Sequence, residues 1–327
     1  LVFFRIIEAM PPTSIPLADI QAARSRIAGS AIRTPLVRLN LDDAPAEIYL
    51  KLENLQPIGS FKLRGAGNAM ALADPDELAQ GAITASAGNM AQGVAWIARK
   101  LGIPCTVIAP DHAPKTKLDA ISRLGAEFIL VPFAEWWQVL LTRRFGDLQG
   151  FFIHPVSDLA VMAGNGTIGL EILEDLPDVD AVTVPYGGGG LSSGIASALK
   201  ALKPDTRVYA AEVDTAAPLV ASLAAGSPQE VTYTPSFVDG SGGKTVLAEM
   251  WPYVSHLLDG SVVSSLDQVK NALRLLLERN RVLAEGAGAV PVAAALSGQA
   301  GGGKIVCVVS GGNIDLSTLR DILAEAA

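Results

Sequence analysis

The stretch Glu53-Asn54-Leu55-Gln56-Pro57-Ile58-Gly59-Ser60-Phe61-Lys62-Leu63-Arg64-Gly65-Ala66 sets a lysine between an aromatic ring and a glycine. A lysine so placed can lose its hydration, which lowers its pKa and frees a neutral amine able to attack an aldehyde. A solvated surface lysine would have the same composition, so its companions matter. In Pro185-Tyr186-Gly187-Gly188-Gly189-Gly190-Leu191, four consecutive glycines expose backbone N–H groups with no Cβ in the way. Beside a helix start such a row forms a phosphate cradle, and a wide structural loop is the plainer alternative. Thr84-Ala85-Ser86-Ala87-Gly88-Asn89-Met90-Ala91-Gln92-Gly93 repeats the strand, glycine turn and helix pattern, now with a hydroxyl and an amide. Val308-Val309-Ser310-Gly311-Gly312-Asn313 ends a further strand with a hydroxyl. One aldehyde-reactive lysine, one phosphate cradle and one further anion site together imply a phosphorylated aldehyde cofactor.

Other readings of the glycines compete. No G-x-G-x-x-G register fits residues 187–194, and Gly298 to Lys304 lacks the Ser or Thr that a P-loop needs next. Gly190-Leu191-Ser192-Ser193-Gly194 does match the G-x-S-x-G nucleophile elbow, with Asp214, Asp239 and His256 downstream. A serine hydrolase using Ser192 is therefore a remote alternative. His112, His154 and His256 are scattered and are expected to be ordinary loop or surface histidines, without a metal cluster.

These motifs need strands to present them. Short β-branched runs alternate with helical patterns, which predicts an α/β protein with parallel-rich sheets covered by helices. The predicted strands are Ile48 to Leu52, Ala82 to Ala85, Cys105 to Ala109, Glu127 to Val131, Ala181 to Pro185, Arg207 to Glu212 and Ile305 to Ser310. Helices are predicted over Met90 to Leu101, Thr116 to Leu124, from near Ser192, and over Leu266 to Asn280 with Ser265 as cap.

The bulk numbers agree. At 50% hydrophobic and 18% charged over 327 residues, the chain is not disordered and has material for about two domains. A net charge of −8, with no basic run longer than Arg143-Arg144, argues against nucleic acid as a partner. No apolar stretch is long enough to span a bilayer. Cys105 and Cys307 lie in apolar runs and are expected to be buried thiols in a reducing cytoplasm. Residues 1–9 precede Met10 and are expected to be a non-native or upstream leader. Glycine, at 32 residues, is in excess, and the motifs suggest that the excess serves close approach to ligands.

The four motifs occur in the order found in the fold-type II pyridoxal-phosphate enzymes. From about residue 15 to the end, the chain resembles the serine/threonine dehydratase family, which includes serine racemase. The resemblance implies a two-lobed fold like that of the tryptophan synthase β chain, with the cofactor in the cleft. A large lobe would comprise residues 10–79 and 159–327, and a small substrate-binding lobe residues 80–158. It implies that Lys62 forms the Schiff base with pyridoxal 5′-phosphate and Phe61 packs on its ring. Asn89 would meet the ring hydroxyl oxygen, Gly187, Gly188, Gly189, Gly190 and Leu191 the phosphate, and Ser310 the pyridine nitrogen. Glu285, in Ala284-Glu285-Gly286-Ala287-Gly288-Ala289, would lie near the ring. Ser86, Ala87, Asn89 and the backbone at Met90 fall where the family binds the substrate carboxylate, with Ser86 and Lys62 as the catalytic pair. The implied reaction is α,β-elimination from a β-hydroxy amino acid by a cytoplasmic homodimer, with Lys62 taking the α-proton. A racemase, a β-replacement enzyme and a non-catalytic binder of the cofactor are the alternatives.

Departures from the family pattern refine these expectations. The usual Asn-His pair is Asn89-Met90, which would set an apolar chain beside the carboxylate site. Racemases carry a second serine where this chain has Ala87, so efficient racemisation is not expected. The family's cation site keeps Glu212 and the Ala216 carbonyl but has Pro218 in place of an aspartate, so no tight metal site is expected. Trp136-Trp137 is expected to serve packing or an interface; if one ring lined the pocket, a substrate bulkier than threonine, such as phenylserine, would fit. The chain ends soon after Ser310, so no appended regulatory domain is expected.

Overall fold

Runs of β-branched residues that are apolar on both faces form stable sheets only when both faces are covered. The computed structural model describes residues 13–113 and 115–325; the expectation for residues 1–9 lies outside them. The strands are β1 (Leu36–Arg38), β2 (Glu47–Leu52), β3 (Ala82–Ala85), β4 (Cys105–Pro110), β5 (Glu127–Val131), β6 (Phe151–Phe152), β7 (Ala181–Pro185), β8 (Arg207–Val213), β9 (Gly260–Ser264) and β10 (Lys304–Val309). They form a six-stranded sheet in the order β1-β2-β10-β7-β8-β9 and a four-stranded sheet in the order β5-β4-β3-β6. Every pairing is parallel except that of β1 with β2. The parallel-rich α/β class expected from the alternation is the class observed.

The core of the larger sheet lies on both of its faces. Along β10, Val306 and Val308 join one apolar cluster, whereas Ile305, Cys307 and Val309 join the cluster on the other side. The smaller sheet is covered by the helix Asn89–Leu101, whose Val94, Ala95 and Ala98 meet Val107 and Ala109 of β4. That helix ends at Gly102, which takes φ +71°, a left-handed stop that glycine adopts without a Cβ penalty. The other face of the smaller sheet holds Trp136, which packs with Ile83, Ile108 and Val139, while the neighbouring Trp137 stays more open and stacks against Phe133.

Much of the glycine excess is spent where three helices cross. The helices Lys62–Leu72, Leu159–Asp175 and Gly190–Leu202 approach so closely that side chains cannot intervene. A Cβ at Gly65 would stand 2.7 Å from Val161, one at Gly166 2.8 Å from the Gly194 carbonyl oxygen, and one at Gly169 2.9 Å from that of Ile195. Cβ atoms at Gly164 and Gly194 would press into the carbonyls of Arg64 and Met162. This corrects the expectation that Gly65 serves approach to a ligand: it serves approach to a helix.

The same crossing holds a buried ionic network. Arg64 bonds both oxygens of Glu53, at 2.7 and 2.8 Å, and both of Glu171, at 2.7 and 2.9 Å. Lys51, fully buried, reaches Glu171 at 2.6 Å and the Thr34 carbonyl at 2.6 Å. Burial opposes ionisation of Glu53, but the Arg64 guanidinium, the Thr34 hydroxyl and the Lys51 charge together hold the carboxyl below its ordinary range. Burial likewise works against the charge on Arg64, and Glu53 and Glu171 more than restore it. The network is satisfied throughout, as buried charge requires, and it clamps the helix that begins at Lys62 to β2 and to the helix Leu159–Asp175.

Some boundaries differ from expectation. The helix after the glycine loop starts at Gly190, two residues before Ser192, and the Leu266 helix gives way to a π-turn over Leu276–Asn280. Ser265 does form the expected cap, in a reciprocal box with Gln268. The strands β1, β6 and β9 were not expected. They are sheet edges, short or rich in Gly and Ser, so no apolar run marks them.

Candidate active site

Parallel strands deliver their carboxyl ends to one rim, where open α/β sheets place ligands. After β3 come Ser86 to Asn89, after β7 Gly187 to Gly190, and after β10 Ser310. Lys62, Asn89, Gly190 and Gly286 each open a helix. Helix N-termini direct their N–H groups and the positive end of the dipole toward whatever lies beyond them.

Lys62 is part-buried and donates to the Pro155 carbonyl at 2.8 Å, with its Nζ 5.1 Å from the Phe61 ring centroid. Burial lowers its pKa to about 8, against the partly offsetting pull of the Glu285 carboxylate. The amine therefore gives up its proton far more readily than an ordinary lysine, in the direction the motif suggested. Pro155 is held by its neighbour His154, whose Nδ1 accepts from Val156 N at 3.2 Å and Ser157 N at 2.9 Å. Burial first, then the Arg143 charge, brings His154 down to about 4, so it is a neutral, buried acceptor. His154 is thus not the ordinary surface histidine expected; its turn presents the carbonyl that takes Lys62. Nothing in its local sequence pointed to this.

The glycine loop lies directly over that turn. A Cβ at Gly188 would stand 2.5 Å from the Val156 methyls, and one at Gly190 would enter the Val156 carbonyl. Gly189 has φ +96°, a left-handed conformation that favours glycine. Two of the four glycines therefore answer to packing against Val156. No backbone carbonyl among the described residues accepts the N–H groups of Gly187, Gly188 or Gly189, so they stay available to a ligand. Leu191 buries its side chain in the core, so only its backbone faces the rim.

Asn89 and Ser310 are brought into the same group. Phe61 N donates to the Ser310 carbonyl at 3.0 Å, and Glu285 N to that of Gly311 at 3.0 Å. Asn89 Nδ2 donates to Glu285 Oε1 at 2.8 Å. Glu285 is buried, and that burial, with Asp239 nearby, raises its carboxyl to about 7. Ser86 Oγ accepts from Gly88 N at 3.2 Å, and a Cβ at Gly88 would meet nothing within 4 Å, so space opens at this turn. Ala87 borders it. Met90 keeps its backbone at the turn, but its side chain is 1% exposed and packs in the core with Leu63 and Val94, not beside the carboxylate site as expected.

The remaining candidates do not assemble. Ser192 is buried and donates to the Gly189 carbonyl at 3.0 Å, while His256 sits on an exposed face of the helix Trp251–Leu257. The elbow match is a helix start without a base, and the hydrolase alternative fails. Glu212 gives one oxygen to Leu219 N at 2.8 Å and the other to Val220 N at 2.8 Å and Ser261 at 2.7 Å. Its carboxylate is engaged by a helix that Pro218 opens. Burial pushes both thiols, Cys105 and Cys307, up to about 12, so they are inert.

A family model described as "Pyridoxal-phosphate dependent enzyme" matches residues 27–311. The chain belongs to the pyridoxal-phosphate dependent enzymes. It is 41% identical over 315 residues to the L-threonine ammonia-lyase of Thermotoga maritima, covering 94% of this chain and 78% of that relative. It is 39% identical over 315 residues to the catabolic L-threonine dehydratase TdcB of Escherichia coli K12, covering 94% and 96%. Among solved structures, maize serine racemase aligns at TM-score 0.88 and 32% identity over 96% of this chain and 98% of that one. Processed threonine deaminase isoform 2 of Solanum lycopersicum aligns at 0.83 and 31%, over 98% and 94%. The fold is fold type II, and the protein is a pyridoxal-phosphate-dependent lyase.

The donor set of this enzyme suits its cofactor. An amine of lowered pKa answers an aldehyde, and uncommitted backbone N–H groups at a helix start answer a phosphate. The buried hydroxyls of Ser60 and Ser193, next to Phe61 and in the first turn after the glycines, have no partner among the described residues.

Proposed function

We propose that this enzyme is an ammonia-lyase acting on threonine or serine, releasing a 2-oxo acid and ammonia by α,β-elimination. The reading is carried by the part-buried Lys62 amine, lowered to about 8 and held by a single carbonyl beside a row of free N–H groups. The names of its relatives, L-threonine ammonia-lyase and catabolic L-threonine dehydratase, point the same way.

In this reading Lys62 binds the cofactor aldehyde and Phe61 covers the ring. Gly187 to Gly190 and the Leu191 backbone hold the phosphate. Asn89 donates to the ring hydroxyl oxygen, Glu285 lies beside it, and Ser310 faces the ring nitrogen. Ser86, Ala87, Asn89 and the Met90 backbone receive the substrate carboxylate at the mouth of the helix Asn89–Leu101. Pyridoxal phosphate supplies the electron sink that spreads charge away from Cα. Lys62, released by the incoming amine, holds the α-proton on Nζ. Ser310 is a neutral hydroxyl and a weak acid, so proton transfer at the ring nitrogen does not compete with departure of the β-hydroxyl.

The reading also divides the protein into a large lobe of residues 10–79 and 159–327 and a small lobe of residues 80–158. It supposes a cytoplasmic homodimer, in keeping with two unpaired buried thiols. No described helix is long and apolar enough to cross a membrane.

Release of ammonia and 2-oxo acid from a panel of serine, threonine and phenylserine tests the reading. Turnover of threonine or serine, abolished in Lys62→Ala together with the visible absorbance, is expected. A protein that keeps its absorbance but turns over none of the panel would be a binder and would overturn the proposal.

A further inference from the structure

Asn313 follows the strand-end motif and is tied to the site through one contact. Its Nδ2 donates to the Ile58 carbonyl at 2.9 Å and to Asn89 Oδ1 at 2.8 Å. A backbone carbonyl can only accept, so it dictates which end of the Asn313 amide faces it. Both Asn313 N–H bonds are thereby spent, and the atom of Asn89 that meets them must be its oxygen. The Asn89 nitrogen is turned the other way, toward Glu285 Oε1 at 2.8 Å. An amide flip that local geometry leaves open is settled here by a chain of partners running from a backbone carbonyl to a carboxylate. Two glycines make room for that chain. Gly59 has φ +72°, and a Cβ there would stand 2.7 Å from Asn313 Oδ1; one at Gly311 would stand 2.5 Å from Glu285 Oε1.

We infer that Asn313 is a positioning residue that locks Asn89 with its oxygen consumed and one N–H of Nδ2 left for the cofactor. The inference rests on the reading that Asn89 meets the ring hydroxyl oxygen, and it specifies how: Asn89 is a donor only, suited to an oxygen carrying negative charge. A reversed amide would set a carbonyl lone pair against that oxygen.

Asn313→Asp tests this, because a carboxylate offers only acceptors to Asn89 and favours the reversed amide. Asn313→Ala removes the lock without new charge. Pyridoxal-phosphate affinity by fluorescence titration, the position and pH titration of the visible band, and the urea midpoint are read for both variants and for the wild type. Asn313→Asp is expected to weaken cofactor binding about tenfold or more and to shift the pH titration of the band, with Asn313→Ala intermediate. If Asn313→Asp does not fold, Asn313→Ala carries the test by the same readouts. Cofactor affinity within twofold of wild type, and an unchanged band titration, in whichever variant folds would overturn the inference. A merely structural role would lower the urea midpoint and leave the band titration of the loaded fraction unmoved, which also overturns it. If Lys62→Ala keeps the wild-type band, the reading of the site has failed rather than the role of Asn313.

Discussion

Lys62 Nζ rests on the carbonyl of Pro155, 93 residues further along the chain, at 2.8 Å. This bond links the start of one helix to the turn that underlies the glycine loop, so the amine and the cradle keep a fixed relation. A carbonyl carries no full charge, so burial still lowers the pKa of the amine to about 8.

Capture of pyridoxal phosphate by the apoprotein should therefore depend on pH in one direction. Only the neutral amine attacks an aldehyde. Below its lowered pKa of about 8, Lys62 is cationic and the capture rate should fall about tenfold per pH unit; above it, the rate should level off. Stopped-flow absorbance across pH 6–10 measures this, and a rate still climbing steeply near pH 10 would show an unperturbed lysine.

Glu285→Gln should stabilise the apoprotein at pH 8 and not at pH 4. The folded carboxyl is raised from 4.5 to about 7, so the folded state keeps a proton that the unfolded state has lost between those values. Stability is lost as pH rises through that window. The glutamine escapes this loss, a gain of about 3 kcal/mol well above pH 7. Its oxygen can still accept from Asn89. Urea unfolding at the two pH values checks the sign, and an equal gain at both would contradict it.

Arg64→Leu should cost about 3–5 kcal/mol, because Glu53 and Glu171 would remain buried without their fork. Arg64 lies two residues beyond Lys62 on the same helix, so cofactor affinity should fall as well. Equilibrium unfolding and cofactor titration on one preparation read the two effects.

Gly194→Ala should destabilise by about 1–3 kcal/mol, since its Cβ would press on the Met162 carbonyl where two helix backbones meet. Gly302→Ala is the control, for a Cβ there meets nothing within 4 Å. Equal thermal midpoints for the two variants would count against tight packing at the crossing.

Production of D-serine from L-serine should be slow beside deamination, because Ala87 offers no hydroxyl at the turn after Ser86. Ala87→Ser should raise it. Chiral chromatography of the reaction mixture reports both rates, and comparable rates in the unaltered enzyme would refute the expectation.

Periodicity and turn chemistry made much of the scaffold legible. Ala82–Ala85, Glu127–Val131 and Ala181–Pro185 form strands where their β-branched runs place them. Gly260–Ser264 was illegible, because an edge strand pairs through its backbone with β8 and needs no apolar run to do so. The lysine, the glycine row and the Asn89 turn were likewise visible as chemistry, each at a strand or helix end. Met90 was misjudged: its position at a helix start was clear, but which way a helical side chain turns is decided by the layer it meets, here Leu63 and Val94.

The sequence by itself determined the fold class and the kind of cofactor, and it marked the lysine proposed to bind it, since these depend on residue type and on neighbours within one turn or strand. Tertiary structure alone decided what each glycine is for, because a missing Cβ has meaning only against the atom it would strike: Val156 for Gly188, Asn313 for Gly59, a crossing helix for Gly65. It also decided the roles of His154, Arg64 and Asn313, whose partners lie in other parts of the chain. A buried polar group takes its meaning from the partners that satisfy it, and those partners are chosen by packing, not by adjacency.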